Sequence, residues 1–472
     1  MLGDLLRQTA AREPDTVAFV DGDRRLTYAE WDWLSDRAAF SLWAEGIRPG
    51  DTVALLLNAS FTYPIAYLGA AKIGAITVGI NTRLGAREVD HVLDDSRARA
   101  LITDREGFTD PMVFDPERLN RPGGSTNVNT EPDDPVAIVY TSGTTGLPKG
   151  ACYTNRALQA VKDIEHAVDP VDHPKTLGGT PMAHMGFMTK IGAHIARAST
   201  TVLMQQWSAR AALETIEREK LTWLGGVPTQ LALMLMDPNF GSYDISSLRS
   251  CLIGGAPASP DLVRQIRQGF GVPVTVRYSC TELAMATGTR AGDPDVVVAQ
   301  TVGRPLPGVD LKVIDQNDDG VGQIVVRSPT MMRGYWGNDD ATRDAVDEHG
   351  FFHTGDLGRI DDDGNLRLAG RTKEMYIRGG YNVYPVEVED VLREHPNVAM
   401  VAVIGIPDDV LGERGRAIVV PEGADPTLDD LRAWVCARIA DYKAPDELEI
   451  RTELPMTAMF KVDKRALQQE GR

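Results

Sequence analysis

Ala137-Ile138-Val139-Tyr140-Thr141-Ser142-Gly143-Thr144-Thr145-Gly146-Leu147-Pro148-Lys149-Gly150 joins a short apolar run to a loop of hydroxyls, glycines and one lysine. The apolar run has the length and composition of a buried strand. Small residues in the loop leave backbone amides unobstructed, the Ser and Thr hydroxyls add donors, and Lys149 adds charge. A loop of this kind can wrap phosphate oxygens. It is not a Walker A loop, because no Gly-x-x-x-x-Gly-Lys-Ser/Thr spacing can be laid on it. The plainer reading is a polar loop between a strand and a helix.

On either side of this stretch, similar apolar runs at residues 52–57, 75–79, 100–103, 201–204, 221–225, 250–253 and 274–278 alternate with amphipathic segments. Strands between helices predict α/β layering. Residues 66–80 are the most apolar, yet Lys72, Gly69, Gly74 and Gly79 interrupt them. They predict a helix and then a buried strand, not a membrane span, which needs about 20 mostly apolar residues. Residues 104–135 are rich in Pro, Gly, Asn and Asp and read as a surface connection. From Leu306 onward short strands are punctuated by turn signals at Asp318-Asp319-Gly320 and Asp363-Gly364, as in a small barrel or hairpin layer. A last unit begins near Lys373. In it residues 398–406 predict a strand and 427–440 a helix, with Thr427 as N-cap and Leu428, Leu431, Trp434, Val435 and Ile439 on one face.

The chain has 472 residues, enough for several domains of about 100 to 200 residues each. Apolar residues make up 43% and charged residues 25%, which excludes global disorder and collagen-like architecture. Lys and Arg total 49 against 67 Asp and Glu, a formal charge of -18 that repels phosphate backbones and anionic lipid. Neither a nucleic-acid partner nor stable membrane insertion is expected. The four cysteines form no C-x-x-C pair, so neither a zinc knuckle nor a disulfide framework is suggested. The first residues lack the apolar run of a signal peptide, and a cytoplasmic location is the expectation.

The loop at 141–150 resembles the nucleotide loop of the adenylate-forming superfamily, which includes acyl-CoA synthetases, peptide-synthetase adenylation domains and luciferases. Further matches follow in order over nearly the whole chain. Pro181-Met182-Ala183-His184 resembles the segment entering the acyl pocket, Gly254-Gly255-Ala256-Pro257 the loop against adenine, and Tyr278-Ser279-Cys280-Thr281-Glu282 the aromatic-to-Thr-Glu segment. Thr354-Gly355-Asp356 and Gly370-Arg371-Thr372-Lys373 match the ribose and hinge segments, Gly379-Gly380-Tyr381-Asn382-Val383-Tyr384-Pro385 the thiol tunnel, and Lys461 the lysine near the C-terminus. Phe460 stands where the family usually has Gly, and Ser279 where Gly is common.

The resemblance implies a large N-terminal α/β domain (residues 1–371), with layered sheets and a small barrel-like part. A hinge at 372–373 and a smaller, mobile α+β C-terminal domain (374–472) would follow. It implies that a carboxylic acid and ATP form an acyl-adenylate, then coenzyme A takes the acyl group. Thr141, Ser142, Gly143, Thr144, Thr145, Lys149, Gly255, Ala256, Pro257, Tyr278, Ser279, Thr281, Asp356 and Arg371 would bind the nucleotide. Lys461 would be catalytic, a compact ammonium suited to neutralise carboxylate and α-phosphate, and Glu282 would hold Mg²⁺ as a hard oxygen donor. His184 would help open the thiol path and, with Met185, Val227 and Cys280, line the acyl pocket. Lys373 would be the pivot, and Gly379, Gly380 and Lys443 would meet coenzyme A. Lys464 reads as a solvated surface charge, and Cys280 has no paired base that would make it a nucleophile. A carrier protein or another nucleophile is the alternative acceptor, and a non-catalytic nucleotide sensor the reading from another class. A small, medium or aromatic acid and a monomer or homodimer complete the expectations.

Overall fold

The computed structural model describes residues 1–123, 126, 128–141, 148–256, 258–457 and 461–470. Two mostly parallel sheets dominate. In a seven-stranded sheet the spatial order is Gly334–Tyr335, Gly150–Thr154, Pro135–Tyr140, Ile76–Gly79, Thr52–Leu56, Ala100–Thr103 and Met112–Phe114. Its strands Thr52–Leu56, Ile76–Gly79 and Ala100–Thr103 are buried at every position, which is why they read as continuous apolar runs rather than alternating ones. A nine-stranded sheet has a parallel centre that includes Ser250–Gly254 and Val274–Tyr278, and antiparallel strands at both ends. Long crossovers between parallel neighbours place helices over the sheet faces.

Three N-terminal helices, Leu2–Arg12, Tyr28–Ala44 and Thr62–Lys72, pack together in the main core. Trp31 is fully buried there, its indole N–H donating to the Pro64 carbonyl at 3.0 Å. Lys72, the charge inside the most apolar run, is buried with its Nζ 2.7 Å from both Asp32 and Asp36. Two carboxylates and the Asp32 carbonyl satisfy its donors.

A third, four-stranded sheet is antiparallel throughout, in the order Asp310–Ile314, Gly322–Arg327, Phe352–Ile360, Leu366–Arg371. It is an open hairpin layer and not a closed barrel. From Tyr376 onward the buried residues form two apolar clusters of their own. They lie around a five-stranded sheet built on the hairpin of Val398–Asp408 and Gly412–Pro421.

Three local expectations are corrected. The loop after Tyr140 leads into the antiparallel strand Gly150–Thr154, so it is the tip of a hairpin rather than a strand-to-helix connection. That strand is buried at all five positions, so no alternation marks it. The connection at 104–135 contains an edge strand, Met112–Phe114, and a 3₁₀ turn, Pro116–Asn120, which bury Phe114 and Leu119. The C-terminal helix spans Leu428–Cys436, shorter than its apolar pattern, because Ile439 still packs on the same cluster after the helix has ended. Thr427 caps it as expected, accepting from the Asp430 amide.

Candidate active site

Asp356 and Arg371 are register partners on adjacent antiparallel strands. Arg371 Nε donates to Asp356 Oδ1 at 3.0 Å, and Tyr278, the last residue of Val274–Tyr278, donates its hydroxyl to Oδ2 at 2.6 Å. Within the strand Phe352–Ile360 the backbone at Asp356 is fixed by Thr354, whose Oγ1 accepts from the Asp356 amide and donates to the Ile324 carbonyl. Gly355 has φ +72°, a conformation that favours glycine. Each carboxylate oxygen keeps a second lone pair for a ligand hydroxyl. Burial, then the Asp356 charge, pushes the Tyr278 phenol well above its ordinary value, so it stays a neutral donor.

Lys461 comes to this cluster from the other end of the chain. Its segment is closed by Thr457 N–H donating to the Lys461 carbonyl at 2.7 Å, and by a bridge between Met456 and Val462. Burial lowers the Lys461 ammonium, and Arg371 lowers it further, while Asp356 and Cys280 oppose this. Those four groups therefore share one electrostatic neighbourhood. His184 belongs to it too: burial, with Lys461 adding, holds its imidazole down at about 4. His184 Nδ1 accepts from the Gly186 amide at 3.1 Å, so the proton of the neutral ring sits on Nε2.

On the adjoining wall, a Cβ placed on Gly255 would come within 3.3 Å of Val227 Cγ1, and Gly255 has φ +82°. Gln230 locks that wall, accepting from the Val227 amide and donating to the Gly179 carbonyl. Ala256 follows Gly255 directly, and Ser279 and Cys280 lie half-buried after Tyr278. Burial and the Glu282 and Asp356 charges push the Cys280 thiol far up, which agrees with its not being a nucleophile. Met185 is buried in the main core with Met182 and Met188.

Glu282 lies beyond Thr281, whose carbonyl accepts from the buried Tyr153 hydroxyl. Glu282 Oε1 accepts from the Tyr335 hydroxyl at 2.8 Å, and its charge helps push the neighbouring Cys280 thiol up. Among the described residues no three His, Cys, Asp or Glu side chains cluster as a metal cage. One hard oxygen donor oriented by neutral groups fits Mg²⁺, which commonly takes one or two carboxylates together with substrate phosphates and water.

At the base of the hairpin tip, the Thr141 amide donates to the Lys149 carbonyl at 2.9 Å. Lys149 Nζ lies 5.1 Å from the Tyr335 ring centre, and the two line a cavity of about 190 Å³ with His91, Asp95 and Trp336. Ser142, Gly143, Thr144, Thr145 and Pro257 lie outside the described residues.

Lys373 sits exposed in a turn held by the Glu374 and Met375 amides on the Arg371 carbonyl. Gly379 and Gly380, with φ +58° and +90°, are the two central residues of an exposed hairpin turn. Lys443 is not a free cation: its Nζ lies 2.6 and 2.7 Å from the two Glu387 oxygens. Lys464 is not a solvated charge either. It bridges Glu374 at 3.1 Å and Glu389 at 2.7 Å, and Glu389 also holds the Val403 amide. Reading the sequence missed Tyr335, although Gly334-Tyr335-Trp336 after a turn is an aromatic pair that invites a role.

Residues 6–336 match the family model of the AMP-binding enzymes, and residues 387–461 match that of the AMP-binding enzyme C-terminal domain. A feruloyl-CoA synthase of Amycolatopsis sp. is 35% identical over 489 residues, covering 98% of this chain and 97% of that protein. A long-chain-fatty-acid–CoA ligase of Mycobacterium tuberculosis, FadD13, is 34% identical over 501 residues, covering 99% and 98%. The ATP-bound crystal structure of MatB from Rhodopseudomonas palustris superposes with a TM-score of 0.91 at 26% identity, covering 100% of this chain and 99% of that one. With both family models matched in order and the Asp356, Arg371 and Lys461 cluster assembled, the chain belongs to the adenylate-forming family of AMP-binding enzymes.

Proposed function

We propose that the chain is an acid–thiol ligase that activates a carboxylic acid with ATP and passes the acyl group to coenzyme A. In the first half-reaction a carboxylate oxygen attacks the α-phosphorus and the bond to pyrophosphate breaks, leaving acyl-AMP. In the second the thiol sulfur attacks the acyl carbon, the bond to AMP breaks, and the thiol proton leaves to solvent. The observation that carries this reading is the Asp356–Arg371 pair with Lys461 near enough to feel both charges. A cation beside a sugar-binding carboxylate is what the crowding of two anions at one phosphorus demands.

Asp356 accepts from the ribose hydroxyls, Arg371 braces it, and Lys461 neutralises the developing charge. Glu282 would hold Mg²⁺, which when bound shields the triphosphate, and Lys149 reaches the phosphates from the hairpin base. The neutral His184, with Val227 and Cys280, borders the acyl group without placing a second cation beside Lys461. Residues 374–472 form the unit that rotates about Lys373, exchanging the Lys461 segment for the Gly379–Gly380 turn. Lys443 would have to leave Glu387 to meet coenzyme A, so its part in acceptor binding is secondary to that of the turn.

ATP–pyrophosphate exchange tests the reading. The panel holds straight-chain and aromatic acids, because the two relatives act on a long-chain fatty acid and on feruloyl. Exchange with at least one acid, followed by thioester formation with coenzyme A, is expected. Exchange with transfer only to a carrier protein or an amine would replace the acceptor, and absence of exchange with every acid would refute the reading.

A further inference from the structure

Tyr335 touches both charged groups that face the triphosphate side of the site. Its hydroxyl donates to Glu282 Oε1 at 2.8 Å and its ring lies 5.1 Å from Lys149 Nζ. The backbone around it is sewn to the same two segments. Gly334–Tyr335 pairs with the strand Gly150–Thr154, Trp336 N–H donates to the Gly150 carbonyl at 2.8 Å, and Met332 N–H donates to the Glu282 carbonyl at 2.7 Å. The Tyr335 amide is itself fixed by Thr342 Oγ1 at 2.9 Å.

The chemistry of a phenol makes these two contacts interdependent. A hydroxyl donating to a carboxylate forms a strong charge-assisted bond and fixes which oxygen stays available for another ligand. Donation also enriches the ring, and an enriched ring attracts an ammonium more strongly.

We propose that Tyr335 is a positioning residue that orients Glu282 for the metal and Lys149 for the triphosphate at once, coupling metal affinity to nucleotide affinity through one phenol. This rests on the acyl-adenylate reading for its ligands, not for its geometry. Coupling of this kind is reciprocal: whatever metal binding does to the hold on nucleotide, nucleotide binding does to the hold on metal.

The test uses the full chain, Mn²⁺ as probe and α,β-methylene-ATP as nucleotide, with free Mn²⁺ read by electron paramagnetic resonance. Tyr335→Phe keeps the ring and removes the hydroxyl. It should weaken Mn²⁺ binding in the nucleotide complex about tenfold, a usual loss for an outer-sphere partner, leave metal-free nucleotide affinity within about twofold, and so reduce by about the same tenfold the gain in nucleotide affinity that Mn²⁺ brings. Tyr335→Leu removes the ring as well and should also weaken metal-free nucleotide binding several-fold. In a Glu282→Gln background Tyr335→Phe should cost nothing more, since the two act through one bond.

Unchanged Mn²⁺ affinity in Tyr335→Phe overturns the proposal, as do additive losses in the double variant. A Tyr335→Leu variant whose metal-free nucleotide affinity matches that of Tyr335→Phe overturns the Lys149 half. If Tyr335→Leu does not fold, the Phe variant and the double-variant cycle still decide the hydroxyl. Pyrophosphate exchange by the parent chain is read separately. A parent that exchanges with no acid while Tyr335→Phe loses Mn²⁺ affinity refutes the function and supports the coupling. An active parent with an indifferent Tyr335→Phe refutes the coupling alone.

Discussion

Asp356 has both carboxylate oxygens engaged, one by Arg371 at 3.0 Å and the other by Tyr278 at 2.6 Å, before any ligand arrives. A carboxylate held on both sides cannot rotate to meet a sugar. Under the proposed function the sugar would come to it, and the geometry of its two free lone pairs would select the cis-diol. Asp356→Asn should raise the KM for ATP by at least about tenfold, since a charged acceptor is lost and Arg371 keeps only Glu374 as a countercharge. It should also lower folding stability by about 1–3 kcal/mol in urea denaturation. An unchanged ATP KM would place the sugar elsewhere.

Lys461→Ala should lower pyrophosphate exchange by about 10² to 10³, the usual cost of removing one preorganised group from a developing anion. Thioester formation from chemically supplied acyl-AMP should be largely spared, because phosphorus is not attacked in that step and the charge left on AMP sits on an ordinary phosphate oxygen. Exchange at the parent rate would show that Lys461 takes no part in the first half-reaction.

Lys373→Pro fixes φ at about -65° in the turn after Arg371. Pyrophosphate exchange should survive and thioester formation from the same acid should fall steeply. Equal loss of both with a lower melting temperature would indicate misfolding, and full thioester formation would move the pivot away from Lys373.

His184, at about 4, is a half-buried base whose folded-state value lies below that of an ordinary histidine. Between the ordinary value and about 4 the unfolded chain therefore binds the extra proton, so stability falls as pH drops through this window and levels off below it. His194, buried beside Phe19 and held at about 3 by burial, acts with the same sign. His184→Gln should lose less stability than the parent between pH 6.5 and pH 4 in thermal melts. An identical pH dependence in the two proteins would show that His184 protonates freely when folded.

Lys464→Met removes one of the two cations on Glu389, which is only 5% exposed and keeps Arg393 Nη2 at 3.3 Å. Stranding a buried charge outright costs about 3–5 kcal/mol; with Arg393 and the Val403 amide still on Glu389, a smaller loss of about 1–3 kcal/mol is expected. The loss should appear in urea denaturation as a lower midpoint for the transition that includes residues 374–472. A loss below about 1 kcal/mol, the range of surface pairs, would mean that Glu374 and Glu389 find water instead.

The parts of this architecture that could be read without coordinates share one property: their signal lies within a few consecutive residues. The parallel strands read as apolar runs because both faces are covered, and Thr427 announced its helix because capping is local. The hairpin after Tyr140 was hidden because Gly150–Thr154 is buried on both faces despite its antiparallel pairing. Lys464 was misread because nothing near it in the chain foretells Glu374 and Glu389. Tyr335 passed unnoticed for the same reason, its partners lying in two distant segments. Lys443, likewise, shows no sign in its neighbours of the carboxylate that occupies it.

The Lys464 bridge also imposes a timetable. It clasps Glu374, one residue past the pivot, to the helix Lys464–Glu470 that begins three residues after Lys461, so under the proposed rotation the whole unit travels as a single body. The lysine and the Gly379–Gly380 turn then cannot attend the acyl phosphate together; one must depart before the other arrives. The mixed anhydride must survive that interval unattended. Its half-life against water, set beside the time of the swing, fixes how much of each ATP ends as thioester rather than as free acid. Loosening the clasp would show first as wasted ATP, before any fall in the rate of the first half-reaction.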